Sequence, residues 1–457
     1  MLYHQDTHPI CALSTASGAG AIAVIRVSGD TSIHLTSKIF SKDLTKSTSH
    51  RANFGLIKNK KGEVVDEVLV TVFHKGKSFT GEETTEIACH GSVFIQQEIL
   101  KLLIGQGCRM AAPGEFTMRA FFNGKMDLSQ AEAIADLIVA DSKKMHDVAM
   151  RQMRGGYSDE IVELKQQLMD FASLIELELD FSEEDVEFAS RTELNNLVKK
   201  LKNRLEKLTA SFAYGDALKN GINTVLAGRP NAGKSTLLNA LLNEERAIVS
   251  SIAGTTRDTI EEMLQIEGIK FRLIDTAGIR EAQDEIEEIG VSRTLSEVSK
   301  SQVLLYVFDA SQLSKDEVKK DIEKLEREGL SIVLIANKTD LLKEKKQWSN
   351  SEWSYPVVQI SAKEKVGIDE LKQKLYAEFN VSVGDYDTVV VNARHFDAFS
   401  SALEDIKRVE EGLESEISGD LLAMDIRGAI RNLSAITGEI TTDDLLGNIF
   451  ANFCIGK

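Results

Sequence analysis

A phosphate-binding pattern lies in the middle of the chain, at Gly228-Arg-Pro-Asn-Ala-Gly-Lys-Ser235. The apolar run Thr224–Ala227 before it predicts a buried strand, and the residues from Thr236 onward predict a helix. Glycines let backbone N–H groups close around phosphate oxygens, the Lys234 ammonium adds positive charge, and the Ser235 hydroxyl offers a ligand to Mg²⁺. The pattern therefore predicts a nucleotide site between a strand and a helix.

Three later motifs indicate that the nucleotide is GTP. Asp275-Thr-Ala-Gly278 follows an apolar run, where its carboxylate can hold the Mg²⁺ shell beside the γ-phosphate. Asn337-Lys-Thr-Asp340 follows another, and the Asp340 carboxylate can accept the N1–H and N2–H₂ donors of guanine, which adenine lacks. The stem of Lys338 can cover the base, and Ser361-Ala-Lys363 suits a last loop that reads guanine O6. Four motifs in order, each after a predicted strand, indicate a GTPase domain.

Composition limits the other possibilities. A chain of 457 residues predicts two or three domains. Its 71 acidic and 54 basic residues give a net charge of −17, although residues 1–125 hold 14 basic and 11 acidic residues. An acidic body argues against broad, unspecific binding of nucleic acid.

The sequence gives no sign of membrane insertion or export. No apolar run reaches the length of a membrane span, and the N-terminus lacks the features of a signal peptide. The four cysteines are scattered and form no C-x-x-C pair, which indicates neither a disulfide framework nor a zinc site. We therefore expect a cytoplasmic protein without a membrane partner.

Residues 1–125 predict an α+β domain. Apolar alternation predicts strands at Ile22–Val27, Val64–Phe73 and Glu86–His90, and a helix at Val93–Leu103. The chain as a whole is expected to be multidomain, with α/β and α+β parts.

Helical periodicity dominates residues 126–220 and returns at 381–457, on either side of a GTPase segment at 221–380. Ser129-Gln-Ala-Glu132 predicts a capping box that opens a helix at Ala131–Ala140. The expected architecture is a P-loop GTPase domain inserted into a helical domain, which is tolerated when the ends of the insert lie close together.

Inside the insert, Glu267-Gly268 predicts a hairpin turn between strands at Thr259–Ile266 and Ile269–Ile274. Parallel strands are expected next, at Val303–Phe308, Ile332–Ala336 and Val357–Ile360. The prediction is a mostly parallel sheet with one antiparallel edge and its ligand at the carboxyl ends of the strands.

Two parts of the hydrolytic machinery stay open at this level. Many small GTPases orient water with a glutamine after Asp-x-x-Gly, where this chain has Ile279. A carboxylate from the acidic segment Arg280–Glu288 can replace it, although such a segment also suits a solvated helix start. The predicted switch loop, Ala247–Asp258, offers a threonine hydroxyl for Mg²⁺ and Arg257 for transition-state charge, unless a partner or a bound cation neutralises that charge.

The chain resembles one family, the MnmE (TrmE) tRNA-modification GTPases. The likeness rests on Gly228–Thr236, Ile252–Asp258, Asp275–Glu281, the terminal Asp443–Lys457, Phe79–Glu82 and Lys125–Glu132. The resemblance implies an N-terminal domain that binds formyl- or methylene-tetrahydrofolate and forms a homodimer. It also implies a GTPase domain whose two copies pair when GTP and K⁺ are bound.

The resemblance assigns roles to residues around the nucleotide. It places GTP against Asn231, Ala232, Gly233, Lys234, Ser235, Thr236, Ser250, Ser251, Ile252, Ala253, Gly254, Thr255, Thr256, Asp275, Thr276, Ala277, Gly278, Asn337, Lys338, Asp340, Ser361, Ala362 and Lys363. Ser235 and Thr256 match its Mg²⁺ positions, and its K⁺ ligands match Asn231, Ser250, Ile252 and Thr255. Glu287 matches the catalytic glutamate that positions water. A cation at the K⁺ position stabilises negative charge as it develops on the phosphates.

The folate positions of the family match Arg26, Glu86, Lys125 and Lys457. A carboxylate suits the amide and amine of a pterin, and basic groups suit the carboxylates of a glutamate tail. Cys454 is the fourth residue from the end, but the following residues do not fit a prenylation motif. In the family this terminal segment reaches the folate site, so Cys454 is a second catalytic candidate, which requires a lowered thiol pKa.

The expected function is an enzyme that hydrolyses GTP and, with the flavoprotein MnmG, modifies the wobble uridine of certain tRNAs. A one-carbon tetrahydrofolate would supply the carbon of an aminomethyl or carboxymethylaminomethyl group at C5. The alternative is a GTP-dependent ribosome-assembly switch that modifies no base, although no basic RNA-binding domain follows the insert. A third possibility is a folate-dependent transferase merely regulated by GTP.

Overall fold

The computed structural model describes residues 7–180, 190–243, 261–275, 297–342, 348, 353–380, 388–415, 417–440, 442–451 and 453–456. The chain divides into two compact units. The first takes in residues 1–140, 148–205 and 398–457, and the second takes in residues 141–147 and 206–397. The domain boundaries predicted after residues 125, 220 and 380 remain predictions.

The first unit begins with a six-stranded sheet. Its strands are β1 (Ile10–Leu13), β2 (Ile22–Ser28), β3 (Arg51–Lys58), β4 (Val64–Phe73), β5 (Thr84–His90) and β6 (Arg109–Met110), in the spatial order β3-β4-β5-β2-β1-β6. Neighbouring strands are antiparallel, except that β1 and β6 are parallel. The three strands predicted in this region are confirmed.

Strand alternation gives this sheet one face that helices cover and an opposite face that is open in part. Val68 and Val70 of β4 are buried in a core with residues of helices α1 (Ser32–Ile39) and α2 (Val93–Gly105). Leu69, between those two valines, is exposed, because successive side chains of a strand point to opposite faces. The helices therefore cover one face and leave the other available for function.

The helices that follow this sheet are α3 (Glu115–Phe122), α4 (Leu128–Val139), α5 (Lys143–Met153), α6 (Ser158–Asp180) and α7 (Arg191–Asn220). The helical pattern predicted for this region is confirmed.

The capping box predicted for α4 is wrong, and the helix begins earlier than Ala131–Ala140. Asp127 is the N-cap: its carboxylate accepts the backbone N–H of Gln130, whose side chain accepts the backbone N–H of Asp127. Ser129 and Glu132, the predicted capping pair, both lie inside the helix and are buried. The Ser129 hydroxyl bonds a serine of α6 instead, so packing rather than capping accounts for it.

The second unit is built on another six-stranded sheet. Its strands are β7 (Ile222–Ala227), β8 (Glu261–Ile266), β9 (Ile269–Asp275), β10 (Val303–Asp309), β11 (Ser331–Asn337) and β12 (Val357–Gln359), in the order β12-β11-β10-β7-β9-β8. Neighbours are parallel except the edge strand β8, which is antiparallel to β9. This confirms the predicted sheet and the predicted fold class.

Helices α8 (Lys234–Asn243) and α9 (Lys315–Ile322) lie between strands of this sheet, and α10 (Ile368–Asn380) follows β12. The chain ends with α11 (Ala393–Glu414), α12 (Gly419–Thr437) and α13 (Asp443–Ala451). Across the described residues, the model contains no helix with the length and apolarity needed to cross a bilayer.

Candidate functional site

The phosphate-binding segment joins β7 to α8 at the carboxyl edge of the second sheet. Lys234, the first residue of α8, is 8% exposed. Its ammonium donates to the carbonyls of Gly228 at 2.8 Å and Arg229 at 3.0 Å. Ser235 and Thr236 are exposed in the first turn of α8, where backbone N–H groups and the helix dipole favour an anion. The segment has the construction of a phosphate cradle.

Two glycines of the cradle are required by close approach. A Cβ on Gly228, with φ at +147°, would lie 2.0 Å from the carbonyl oxygen of Val307. A Cβ on Gly233, with φ at +94°, would lie 2.2 Å from Nδ2 of Asn337. The ends of β10 and β11 therefore fix the position of the cradle, and a side chain at either glycine would displace it.

Between these glycines the chain makes a tight turn at Arg229-Pro-Asn-Ala232. The Ala232 N–H donates to the Arg229 carbonyl at 3.3 Å, and Asn231 has a φ of 60°. Proline in the second position and positive φ in the third are features of a type II turn. Asparagine tolerates this backbone, and its exposed side chain lies at the corner of the loop.

Asn337, the last residue of β11, joins the cradle to the loops that carry Asp340 and Ser361. Asn337 is 2% exposed, and its Nδ2 donates to the Ala232 carbonyl at 2.8 Å. Its Oδ1 accepts the backbone N–H of Ala362 at 3.0 Å. One buried amide therefore holds three loops together.

Asp340 and Ser361 form the corner that would read the base. The Ser361 hydroxyl donates to Oδ1 of Asp340 at 2.6 Å, and Asp340 is exposed. The Thr339 N–H also donates to the Ile360 carbonyl at 3.1 Å, which ties the two loops together. An exposed, oriented carboxylate here can accept the paired donors of guanine.

Lys338 is fixed by an ion pair beside this corner. It has a φ of 63°, and its ammonium donates to Oδ2 of Asp309 at 2.7 Å. Burial alone would raise the pKa of Asp309, but hydrogen bonds from Lys338 and Ser311 outweigh it and hold the pKa below its usual value. The carboxylate therefore stays ionised and keeps the lysine stem at the sheet edge.

A second candidate site lies on the open face of the first sheet. Arg26 and Glu86 are direct partners across β2 and β5, and Nε and Nη2 of Arg26 donate to Oε1 of Glu86 at 3.0 and 2.8 Å. The guanidinium also lies 5.3 Å from the ring centre of Phe79 and 5.7 Å from that of Phe116. We call these four side chains the arginine clamp, because the two rings and the carboxylate fix the guanidinium.

Hydrogen bonds of Thr80 and Glu82 anchor the loop that carries Phe79. Thr80 is fully buried and shares a hydrogen bond of 2.6 Å with the Ser28 hydroxyl. Glu82 accepts that hydroxyl at 2.8 Å and the Arg119 guanidinium at 3.2 Å. These contacts hold the Phe79 ring in place over the arginine.

Lys125 contacts the same loop. Its ammonium donates to the carbonyl of Gly76 at 3.1 Å, and its stem would lie 3.3 Å from a Cβ placed on Gly81. The loop from Gly76 to Glu82 therefore contacts both Lys125 and the arginine clamp.

The C-terminal segment is anchored in the same unit. The Gly114 N–H donates to the Cys454 carbonyl at 3.4 Å, and the Ser14 hydroxyl donates to the Gly456 carbonyl at 3.1 Å. Gly114 lies two residues before Phe116 of the clamp, and Cys454 is exposed. The backbone of the segment that carries the exposed Cys454 thus contacts the start of α3, the helix that also carries Phe116.

Comparison with known proteins covers both candidate sites. The family model for the MnmE helical domain matches residues 128–454, and the model for the GTP-binding protein TrmE N-terminus matches residues 9–125. The tRNA modification GTPase MnmE of Christiangramia forsetii is 52% identical over 98% of this chain and 99% of its own length. That of Flavobacterium psychrophilum is 51% identical over the full length of both chains. The chain belongs to the MnmE family of tRNA-modification GTPases.

The predicted family and the predicted GTP hydrolase are confirmed by this membership. Among solved structures, the FeoB G-domain from Methanococcus jannaschii covers 35% of this chain and 97% of its own length, with 26% identity and a TM-score of 0.26.

Part of the predicted MnmE site lies in the described residues. These are Asn231, Ala232, Gly233, Lys234, Ser235, Thr236, Asp275, Asn337, Lys338, Asp340, Ser361, Ala362 and Lys363 for the nucleotide, and Arg26, Glu86, Lys125 and Cys454 for the other site. Asp275 ends β9 beside Leu226 of β7. Residues 250–256, 276–278, Glu287 and Lys457 lie outside the described residues. The roles assigned to both groups of residues stay predictions.

Sequence reasoning missed the residues that fix these side chains. Phe79 belongs to a motif used for the family likeness, but its position gives no sign that the ring covers Arg26. Phe116 carries no local signal, since it acts through Arg26, a residue distant in sequence. The aspartate at the end of β10 could have been found, because carboxyl ends of parallel strands converge on one edge.

Proposed function

We propose that this MnmE family member is a K⁺-activated GTPase that acts in the cytoplasm on the wobble uridine of certain tRNAs. With a flavoprotein partner of the MnmG type, it adds an aminomethyl or carboxymethylaminomethyl group at C5, using a one-carbon tetrahydrofolate. One observation carries the proposal: a single chain holds a guanine-nucleotide cradle and, on a separate sheet, an arginine–glutamate pair clamped between two aromatic rings.

The nucleotide half of the proposal rests on the cradle and its neighbours. Lys234 and the first turn of α8 bind the phosphates, and Asp340 selects guanine over adenine. Asn337 keeps those two regions at a fixed separation through bonds to Ala232 and Ala362. A rigid link of this kind favours hydrolysis, because charge stabilisation requires groups that are already in place.

Within the nucleotide half of the proposal, the cation sites rest on residues around the same loop. Ser235 and Thr256 would hold Mg²⁺, and Asn231 would hold K⁺ together with Ser250, Ile252 and Thr255. The exposed amide of Asn231 at the turn fits an oxygen ligand for a hard cation. Such a cation supplies positive charge where phosphate charge develops.

One further residue completes the proposed hydrolysis. Glu287 positions the attacking water, since Ile279 has no polar group for that role. Arg257 is then not required for charge stabilisation, because the proposed cation occupies that role.

The folate half of the proposal rests on the arginine clamp. Glu86 remains 30% exposed while Arg26 is 18% exposed, so the carboxylate can accept the amide and amine of a pterin while the arginine fixes its orientation. Lys125 and Lys457 would bind carboxylates of the glutamate tail. A bound folate supplies the one-carbon group, and Cys454 is proposed to assist its transfer.

The proposed assembly is a homodimer that also binds the MnmG-type partner and tRNA. Ile22, Phe54 and Leu69 are 68%, 57% and 47% exposed on the strands of the first sheet. Large apolar side chains grouped on one face favour burial against another copy. Light scattering of the purified chain should give twice the mass of one chain.

Mass analysis of tRNA nucleosides tests the proposal. A strain that lacks the gene should lose the C5 modification of wobble uridine, and the wild-type gene should restore it. Unchanged wobble uridines in the deleted strain would contradict the proposal and favour the ribosome-assembly alternative.

Complementing that strain with variants tests the parts separately. Arg26→Ala should fail to restore the modification, whereas Arg51→Ala, which removes an exposed arginine from the same sheet, should restore it. Glu287→Gln should also fail. Restoration by that variant would favour a transferase that GTP merely regulates.

A further inference from the structure

The side chain of Arg229, in the phosphate cradle, is fastened to a neighbouring helix. Its Nε donates to Oδ2 of Asp321 at 2.7 Å, its Nη2 donates to Oδ1 at 3.3 Å, and its Nη1 donates to Oε1 of Glu317 at 3.1 Å. The two acids are four residues apart on α9, so they share one face of the helix. The guanidinium makes a forked contact that lysine cannot reproduce.

Both carboxylates are themselves held by other groups. Glu317 accepts the backbone N–H of Ser314 at 3.0 Å and its hydroxyl at 2.8 Å, in the capping box of α9. These bonds and that from Arg229 lower the pKa of Glu317 to about 2. Asp321 accepts the hydroxyl of Tyr306, a residue of β10 that is 2% exposed, at 2.5 Å. The anchor of the arginine is therefore joined to the core of the second unit through Tyr306.

The backbone of Arg229 begins the turn that carries Asn231. Its carbonyl accepts the Ala232 N–H at 3.3 Å and the Lys234 ammonium at 3.0 Å. The anchored residue is thus the first residue of the type II turn and contacts the phosphate-binding lysine. Any movement of Arg229 shifts both the corner of the turn and the lysine.

We propose that Arg229, Asp321 and Glu317 form a positioning network that sets the K⁺ affinity of the cradle by fixing the turn at Asn231. The inference rests on the proposed function, in which Asn231 is a K⁺ ligand. The network touches neither the base-reading corner at Asp340 nor Asn337, so it acts on the cation more than on recognition of guanine.

Two variants test the network. Arg229→Lys keeps the charge but loses the fork, and Asp321→Asn keeps the shape but loses the charge. Each should raise the K⁺ concentration for half-maximal GTP hydrolysis about fivefold to tenfold, as expected for the loss of about one hydrogen bond at a partly exposed site. Asp316→Asn is the matched control, since it removes one negative charge from the same helix without a contact to Arg229, and it should leave the K⁺ requirement unchanged.

A second measurement does not depend on turnover. With a non-hydrolysable GTP analogue bound, the melting temperature of the full chain should rise with K⁺ concentration, because a ligand that binds the folded state stabilises it. The midpoint of that rise should move by the same factor in both variants but not in Asp316→Asn. Affinity for fluorescent GDP in K⁺-free buffer should change less than twofold.

The outcomes separate the network from the function on which it rests. If the wild-type chain hydrolyses GTP equally in K⁺ and Na⁺, the proposed function fails. If the wild type needs K⁺ but both variants keep its half-activating concentration, the network does not set K⁺ affinity. If GDP affinity falls as far as K⁺ affinity, the network only maintains the fold of the cradle, and the inference is overturned.

Discussion

Replacement of Asn337 by alanine should uncouple the phosphate cradle from the guanine-binding loops. The substitution removes the partner of the Ala232 carbonyl at 2.8 Å and of the Ala362 N–H at 3.0 Å. All three residues are at most 3% exposed, so both backbone groups lose their bonds in a buried place. Each buried group left without a partner costs about 1–3 kcal/mol, and the two together should lower the free energy of unfolding of this unit by about 2–6 kcal/mol.

Urea unfolding and fluorescent GDP binding measure this effect on the whole chain. A matched control is Asn220→Ala, because the Asn220 amide donates to Asp216 at 2.7 Å on an exposed helix surface. Removal of a surface bond of this kind changes stability by about 0.5 kcal/mol or less. Asn337→Ala should weaken GDP binding at least about tenfold, and the control should not. Equal stability and equal GDP affinity for Asn337→Ala and wild type would refute the view that this amide holds the loops together.

Three other predictions follow from single contacts. Asp340→Asn should lower GTP affinity by about 10- to 100-fold, the loss expected for charge-assisted bonds. The same variant should favour xanthosine triphosphate, whose base has an oxygen in place of N2–H₂. Competition with fluorescent GTP measures the affinity for each nucleotide. A maleimide at pH 7.5 should label one thiol per folded chain, that of Cys454. The other three cysteines are buried, and burial raises the pKa of the Cys89 thiol to about 11. Unchanged labelling of the Cys454→Ser variant would contradict this prediction. Burial alone would raise the pKa of Glu115, but the bonds from Arg109 and a backbone N–H lower it from its usual 4.5. The carboxylate therefore stabilises the fold above that pH, and this stabilisation is lost as pH falls through the lowered pKa. Thermal melts across pH should show that the stability of Glu115→Gln depends less on pH below about 4.5 than that of the wild type.

The second sheet was predictable because each of its strands has a local signal. Continuous apolar runs mark buried parallel strands, and polar motifs at their ends mark the edge where ligands bind. The turn at Glu267-Gly268 was predictable for a similar local reason. Both residues have positive φ, at 49° and 80°, as a tight hairpin requires.

The contacts that fix the site were not predictable from spacing. Phe79 and Phe116 come from a loop and a helix, and only the tertiary fold places both rings over Arg26. The start of α4 shows the same limit on a local scale. Two overlapping capping patterns occur within six residues, and burial of Ser129 rather than its propensity as a cap decides between them.

GTP turnover by the purified chain in KCl and in NaCl of equal ionic strength tests the central claim most directly. With Mg²⁺ present in both buffers, turnover should be at least about tenfold faster in KCl, a threshold well below the ~10³–10⁵ that an arginine in the same role supplies. Asn231→Ala should remove that difference. Equal turnover in the two salts, or full K⁺ stimulation of the Asn231 variant, would contradict the account.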